Sequence, residues 1–97
     1  MLPIHFLPEA ESELREAQGW YDLRTGGLGE RFMAAIDAAV ARIGENPEQF
    51  PVVYRHFRRA LAKRFPYALY FRVQADGIYV VACAHTSRHP ARWRRRR

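Results

Sequence analysis

Cationic and imidazole side chains are concentrated in the second half of the sequence, and their chemistry suits phosphate groups. Arginine and lysine bind phosphate oxygens, and histidine exchanges a proton near neutral pH. His85 and His89 flank Arg88, a spacing that would allow general acid and base catalysis if the two rings converge. The alternative, which we favour, is that His85 packs at the end of a strand while His89 is solvated before Pro90.

A second group of cations lies in the span from residue 58 to residue 73, where acidic residues are almost absent. The group consists of Arg58, Arg59, Lys63, Arg64 and Arg72. Two interpretations are open: a surface that binds an anionic partner, or a hydrated sheet face and edge where charge discourages aggregation. We favour the binding surface, because five cations stand together with so little compensating charge.

The C-terminal arginines surround a tryptophan. A terminal run of charge is often a disordered, solvated tail, but it could also grip the phosphates of a target. Both interpretations of the basic tail, about residues 89–97, remain open. A large aromatic ring is rarely left in a solvated tail, so we expect Trp93 to dock on the sheet or to stack on a base.

The charge is divided unevenly along the chain. Residues 1–53 hold four Lys/Arg and nine Asp/Glu, a net charge of −5, whereas residues 54–97 hold twelve Lys/Arg and only Asp76, a net charge of +11. The total is +6 and the sequence pI is about 10.2. The second half should attract polyanions such as nucleic acid, a nucleoprotein or an acidic protein.

Several classes of protein are not indicated. No apolar run approaches the length of about 20 residues that a membrane span needs, and the N-terminus lacks the pattern of a secretory signal, so we expect a cytoplasmic protein without membrane contact. Cys83 is the single cysteine and cannot form an internal disulfide. No Cys/His or carboxylate cluster has the spacing of metal ligands, so we expect no metal and no cofactor.

Apolar periodicity predicts two helices in the first half. The stripe of the first is Ala10, Leu14, Ala17 and Tyr21, and that of the second is Phe32, Ile36, Val40 and Ile43. The first helix should begin at Pro8 and end near Arg24, before the Thr25-Gly26-Gly27 link. Because this link is short, the two helices should form an antiparallel hairpin.

The remaining segments predict strands. We expect a short edge strand over residues 3–7, a loop over 48–57, a strand over about 58–63, and a hairpin whose arms are residues 67–73 and 78–86. Strict alternation of apolar residues supports the first arm. Asp76-Gly77 should form the two-residue turn, and this register would pair Phe71 with Ala82 and Leu69 with Ala84.

The predicted element order is β-α-α-β-β-β. It describes an α+β fold in which the helical hairpin packs on one face of an antiparallel sheet. One domain should span residues 1–97, since no repeat or linker interrupts the chain.

Five segments, in this order, resemble the RelE/ParE superfamily of type II toxin-antitoxin toxins, the plasmid-stabilisation type. They are A-E-S-E-L-R-E-A-Q-G-W-Y, G-L-G-E-R-F-M-A-A-I-D, N-P-E-Q-F-P, R-R-A-L-A-K-R-F-P-Y-A-L-Y-F-R-V and A-H-T-S-R-H-P-A-R-W. The resemblance implies a small toxin that an antitoxin holds inactive. RelE-like members cut mRNA on the ribosome without a metal, whereas ParE-like members share the fold, poison DNA gyrase and are not nucleases.

This sequence matches the RelE-like pattern of functional residues only in part. The resemblance places Ala68 where RelE-like members carry an Arg that holds the scissile phosphate, and Leu61 where they carry a Lys. Arg59 and Arg88 match basic positions. Trp93 is only a near match to the C-terminal Tyr, because it can stack on a base but has no hydroxyl. Loss of the phosphate-binding Arg would remove transition-state stabilisation, which favours the ParE-like branch.

We therefore expect a ParE-like toxin that inhibits its target, DNA gyrase, by binding it through the basic half of the chain. A cognate acidic antitoxin would lay an amphipathic helix and an extended segment over the helical hairpin and the sheet. The expected contacts to target or antitoxin are Arg58, Arg59, Lys63, Arg64, Arg72, Arg88 and Trp93.

Two alternatives remain. The first is a RelE-like, ribosome-dependent mRNA endoribonuclease, metal-independent, in which Arg59, His85 and Arg88 would be catalytic. The second is a basic nucleic-acid-binding module with no toxic action.

Overall fold

A computed structural model describes residues 2–96, which form two helices and five strands. The helices are α1, Pro8–Arg24, and α2, Leu28–Glu45. The strands are β1, Ile4–Phe6; β2, Val52–Tyr54; β3, Phe57–Leu61; β4, Tyr67–Gln74; and β5, Gly77–His85. Two short 3-10 turns span Pro47–Gln49 and Pro90–Arg92.

The two helices lie where the apolar periodicity predicts them. Pro8 occupies the first turn of α1, and Glu9 and Glu11 follow it at the positive end of the helix dipole. The link to α2 reverses the chain at Gly27, which has φ of 81°. That left-handed conformation costs residues other than glycine about 1–2 kcal/mol, so Gly27 is what allows so short a connection.

The strands form a sheet in the order β1-β5-β4-β3-β2. The predicted α+β class, with a helical hairpin on one face of the sheet, is confirmed. The sheet is mixed, because β1 pairs parallel with β5 through Ile4–Ile78 and Phe6–Val80, while the other neighbouring strands are antiparallel. The two helices take the chain from β1 at one edge of the sheet to β2 at the other, and the antiparallel strands β2 to β5 then bring β5 back beside β1.

Residues 48–57 do not form the continuous loop that the sequence predicted. Val52–Tyr54 is an edge strand paired with β3 through Val52–Arg58 and Tyr54–Phe57, with an irregularity between the two pairs. Valine and tyrosine favour extended structure. Their run is short and follows Pro51, so its strand character was not apparent from the sequence.

The predicted hairpin exists, but its register was wrong. Gln74 pairs with Gly77, so Ala75 and Asp76 form the turn, and the observed pairs on the inner face are Val73–Ile78, Phe71–Val80 and Leu69–Cys83. A bulge between Tyr70 and Phe71 of β4 leaves Val81 as the extra residue of β5. Gly77 is glycine for a different reason from the one predicted: a Cβ there would lie 3.1 Å from the Pro3 carbonyl oxygen.

The sheet has an apolar cluster on each face. On the inner face, Phe32, Ile36 and Ile43 of α2 pack with Leu69, Phe71, Ile78 and Val80 of the sheet. On the outer face, Phe57, Ala68, Tyr70, Val81 and Ala82 pack with Trp93 from the C-terminal segment. The outer cluster is therefore covered by the end of the chain, and it forms the base of the candidate site.

Candidate functional site

Strand alternation sends two of the predicted cations to the outer face of the sheet. Arg59 of β3 lies opposite Tyr70 of β4, and Arg72 follows two residues later on the same face. Ala60 and Phe71, their neighbours along the strands, face the helices and lie in the inner core. Arg59 and Arg72 are thus carried by a rigid strand pair rather than by a loop.

The C-terminal segment returns to this outer face through Trp93. The His89 Nδ1 atom accepts a hydrogen bond from Ala91 N and caps the short turn at Pro90–Arg92. Trp93 is 3% exposed and stacks on Tyr70, with ring centroids 4.3 Å apart and an interplanar angle of 23°. Its contact with Phe57 is edge-on at 5.4 Å. Of the two expectations for Trp93, docking on the sheet is the arrangement present here.

A small cleft of about 240 Å³ forms where the C-terminal segment meets the outer face. Its cations are Arg59, Arg88 and Arg94, and its aromatic side chains are Tyr54, Tyr70 and Trp93. The remaining lining residues are Val53, Thr86 and Pro90, so the described lining contains no carboxylate. Three guanidinium groups without an acidic neighbour give this cleft a positive potential that suits an anionic ligand.

Two of the three arginines differ in their surroundings. The Arg94 guanidinium carbon lies 4.2 Å from the ring centroid of Tyr54, a cation–π distance. The Arg59 Nε atom is buried and has no hydrogen-bond partner among the described residues. A buried donor without a partner is costly, so the Arg59 side chain carries an unsatisfied hydrogen-bond donor beside the cleft.

The other predicted cations lie outside this cleft. Arg58 faces the helix side and donates from one Nη atom to Phe50 O at 2.6 Å and to Glu48 O at 3.3 Å, which fixes the segment before β2. Arg72 is 8% exposed and lies over the Tyr79 ring at 4.8 Å. Lys63 and Arg64 are exposed in the turn between β3 and β4, where Arg64 has φ of 72°.

His85 and His89 make hydrogen bonds to residues close to them in the chain. The His85 Nδ1 atom accepts from Ser87 N at 3.1 Å and lies 2.8 Å from Ser87 Oγ, and its ring meets Tyr67 edge-on at 5.4 Å. His85 and His89 line a groove beside α1 and not the cleft that contains Arg59. The proposed catalytic set of Arg59, His85 and Arg88 is therefore divided between two cavities, and Arg88 lines both.

The groove beside α1 is the larger cavity, with a volume of about 1110 Å³. Ala17, Tyr21, Tyr67 and Cys83 are its buried or half-buried lining, and Trp20 and Leu23 of α1 are 49% and 82% exposed beside it. Arg88, His89 and Arg92 line the side formed by the C-terminal segment. Glu13 and Glu16 line the side formed by α1, so the groove is apolar with charges of both signs at its border. Such a groove suits an amphipathic protein segment.

Cys83 does not add a nucleophile to this groove. It is 2% exposed, and burial, followed by the nearby Glu13 carboxylate, raises the pKa of the thiol to about 12. Thiolate is the reactive form of cysteine. At neutral pH Cys83 therefore remains a protonated side chain of the inner core.

Sequence reasoning missed three residues of the cleft. The C-terminal charge run gives Arg94 no separate role, and the predicted loop contains Tyr54, whereas both residues line the cleft with Arg59 and Arg88. Tyr70 of β4, which forms the base of the cleft, is a third residue absent from the expected contacts. The alternation of β3 could have placed Arg59 on the outer face. Tyr54 and Arg94 come together only because Trp93 docks, which no local pattern reveals.

Two further classes of site were searched for in residues 2–96. No group of three or more His, Cys, Asp or Glu side chains in this range is arranged to hold a metal ion. Neither of the helices described has both the length and the apolar character needed to cross a membrane.

A helical hairpin on one face of a small sheet is the fold that the resemblance to the RelE/ParE superfamily of toxins predicts. Within this class, residues 4–90 match the family described as "ParE toxin of type II toxin-antitoxin system, parDE". The chain belongs to the ParE toxin family.

Individual relatives agree with this assignment. The chain is 26% identical over 81 residues to Toxin ParE2 of Mycobacterium tuberculosis, strains CDC 1551 / Oshkosh and ATCC 25618 / H37Rv, which covers 82% of this chain and 77% of that protein. It also superposes on a solved structure, the chromosomal ParDE TA system from P. aeruginosa, with a TM-score of 0.77 over 88% of this chain and 96% of that chain. At 18% identity the structural likeness shows the fold.

The protein is thus the toxin component of a type II toxin-antitoxin module, of the ParE-like type. This confirms the branch that the missing phosphate-binding residues indicated. Neither the ribosome-dependent endoribonuclease nor the non-toxic nucleic-acid-binding module is favoured. A cognate antitoxin is its partner.

Proposed function

We propose that this toxin inhibits DNA gyrase by binding it through the outer-face cleft formed by Arg59, Arg88, Arg94, Tyr54, Tyr70 and Trp93. The observation that carries the proposal is the cleft itself, which collects three cations on a rigid aromatic base. Gyrase is a cytoplasmic enzyme that works on DNA, so the proposal places the toxin's action in the cytoplasm.

The chemistry of the cleft supports binding rather than cleavage. Ala68, at the position of the phosphate-binding Arg of RelE-like members, is fully buried and uncharged. The histidines that could exchange protons line the other cavity, and each uses its Nδ1 atom in a local hydrogen bond. A nuclease needs an acid and a base within reach of the scissile phosphate, and the described lining of the cleft contains no histidine and no carboxylate for these roles.

A gyrase supercoiling assay with purified protein tests the target. The toxin should inhibit supercoiling, and the double variant Arg59→Ala/Arg88→Ala should need at least about ten-fold more protein, since each charged hydrogen bond contributes on the order of 1.5–3 kcal/mol. Arg31→Ala is the matched control because Arg31 is exposed on α2, away from the cleft. Full gyrase activity with excess wild-type toxin would refute the proposal, and codon-phased mRNA cuts in primer extension would support the endoribonuclease instead.

We further propose that the cognate antitoxin covers the groove beside α1 with an amphipathic helix and an extended segment. The exposed Trp20 and Leu23 offer apolar area to such a helix, and Arg88 and Arg92 offer charge to an acidic antitoxin. Lys63 and Arg64, exposed in their turn, remain predicted contacts for the extended segment.

Groove variants should separate neutralisation from toxicity. Leu23→Glu places a charge on an apolar docking surface while the residue is already 82% exposed, so folding and growth arrest should persist while co-expressed antitoxin no longer rescues growth. Val52→Glu is the control, since Val52 is a half-exposed apolar residue on β2 that lines neither cavity. Equal rescue of the wild type and Leu23→Glu would place the antitoxin elsewhere.

A further inference from the structure

Among residues 2–96, no strand pairs with the second half of β5 on the side where β1 ends. β1 pairs with residues 78–80 of β5, and the last backbone hydrogen bond on this side runs from Leu7 N to Val80 O at 2.9 Å. The bulge at Val81 then reverses the direction of the next backbone groups, so that Val81 O and Cys83 N face this open edge. An open strand edge leaves backbone groups that need partners.

Two side chains supply those partners. Glu13 of α1 accepts from Cys83 N through Oε1 at 3.1 Å, and the Arg96 guanidinium donates to Val81 O at 3.0 Å. The same two side chains bind each other in a two-point ion pair, with distances of 2.8 Å to Oε1 and 3.0 Å to Oε2. We refer to this network of Glu13, Arg96 and the edge of β5 as the clasp.

The geometry of the clasp distinguishes it from an ordinary surface ion pair. The side chains of Arg96 and Glu13 are 16% and 18% exposed, and the guanidinium meets the carboxylate at both oxygens. Paired contacts of this kind are stronger and more directional than a single exposed ion pair. Each partner is also held by a backbone group, so the clasp fixes the position of the chain at Arg96.

The clasp connects the inner layer of the molecule to the outer cleft. Arg96 N donates to Trp93 O at 3.0 Å, so a single turn separates the clasp from the ring that stacks on Tyr70. Arg94 lies within that turn and Arg88 lies before it, and both line the cleft with Trp93. Holding Arg96 on α1 and β5 therefore holds the segment that supplies two of the three cations of the cleft.

We propose that Glu13 and Arg96 are positioning residues for target binding, which keep Arg88, Trp93 and Arg94 in place without contacting the target themselves. This inference rests on the proposed function of the cleft. It also divides the C-terminal charge run by role: Arg94 belongs to the cleft, Arg96 belongs to the clasp, and Arg95 is exposed.

Glu13→Gln and Arg96→Ala test the clasp directly. The glutamine oxygen can still accept from Cys83 N, but the ion pair with Arg96 is lost, so this variant isolates the charge. In a Trp20→Phe background Trp93 is the single tryptophan, and quenching of its fluorescence by acrylamide reports release of the C-terminal segment.

We expect both variants to raise the quenching constant. Glu13→Gln should also speed tryptic cleavage after Arg92 and Arg94 by about ten-fold, equivalent to ~1.4 kcal/mol of local opening. Glu11→Gln and Arg95→Ala are the controls, and both should behave like the parent.

The effect on function is then measured with Trp20 restored. Glu13→Gln and Arg96→Ala should weaken growth arrest and raise the toxin concentration for half-inhibition of gyrase by about ten-fold, the same factor as the local opening. Arg96→Lys should recover part of the loss because it keeps the charge and one donor to Glu13. The urea midpoint of Arg96→Lys and Glu13→Gln should stay close to that of the wild type, which a general loss of stability would not allow.

Three results would overturn the inference. Unchanged Trp93 quenching and proteolysis in both variants would show that the clasp does not hold the segment. Increased quenching with undiminished growth arrest would show that the segment is held but does not position the cleft. A urea midpoint lowered in parallel with toxicity would indicate a structural role. If gyrase is unaffected by the wild type while the variants still weaken growth arrest, the clasp stands and the proposed target fails.

Discussion

The two tryptophans show how much the role of a residue depends on where the chain carries it. Trp20 lies on α1 and is 49% exposed, with Arg24 at 4.0 Å over its ring, whereas Trp93 is 3% exposed among Tyr70, Phe57 and Tyr54. The first offers area to a partner. The second is part of the fold, although it lies in a segment whose composition resembles a solvated tail.

Replacing each tryptophan by alanine should therefore have very different effects on stability. Trp93→Ala leaves a cavity over Tyr70 and should lower the free energy of unfolding by about 3–5 kcal/mol, whereas Trp20→Ala should change it by about 0.5 kcal/mol or less. Urea unfolding followed by circular dichroism measures both. Similar losses for the two variants would contradict the packing of Trp93 on the outer face.

Cys83 should make stability depend on alkaline pH. Burial raises the pKa of its thiol to about 12, above the value of about 8.5 expected in an unfolded chain. The folded state therefore keeps the thiol proton to a higher pH than the unfolded chain does. The contribution of Cys83 to the free energy of unfolding is complete below about pH 9 and is lost as the pH rises towards 12. The stability of the wild type relative to Cys83→Ala should fall by about 1.4 kcal/mol per pH unit in that window, and a constant difference would refute the assignment.

At the scale of elements, the parts that the sequence predicts are those that depend on local pattern. The apolar stripes define α1 and α2 because each helix buries one face whatever its neighbours are. The parallel partner of β1 and the bulge at Val81 depend on contacts between distant residues, so they could not be read from alternation in β4 and β5. The same distinction applies to the site: Arg59 was identifiable as a basic residue, but its grouping with Tyr54 and Arg94 required the docking of Trp93.

The link between the helices allows a matched test of one element boundary. Gly27 has φ of 81°, whereas Gly26 lacks such a conformation, and a Cβ at either position would meet no atom within 4 Å. Gly27→Ala should lower the free energy of unfolding by about 1–2 kcal/mol through backbone strain alone, while Gly26→Ala should be neutral or slightly stabilising. Equal effects would mean that the left-handed residue is not what sets the turn.

At the scale of the whole molecule, the helical layer is acidic and most of the sheet layer is basic. The acidic half of the chain, residues 1–53, contains both helices, and the basic half supplies β3, β4, β5 and the C-terminal segment. The molecule is therefore polarised, with cations gathered at the sheet and at the cleft. Such polarity orients an approaching acidic partner before any contact forms.

Association with the antitoxin should accordingly slow as salt increases. Screening shortens the range of these fields to about 8 Å at physiological ionic strength and to about 3 Å at 1 M, so the association rate constant should fall by about ten-fold or more between low and high salt. The dissociation rate constant should change little, because apolar contacts in the groove dominate it. Stopped-flow mixing at several salt concentrations measures both, and a salt-independent association rate would contradict the steering role.

The parallel pairing of β1 with β5 has a consequence for synthesis of the toxin. Ile4 leaves the ribosome long before its partner Ile78, and Arg88 and Trp93, which line the cleft, follow Ile78 in the chain. The helical hairpin can form on the nascent chain, but the sheet cannot be completed until β5 has been translated. Local helix formation therefore precedes the long-range pairing that joins the two halves of the fold.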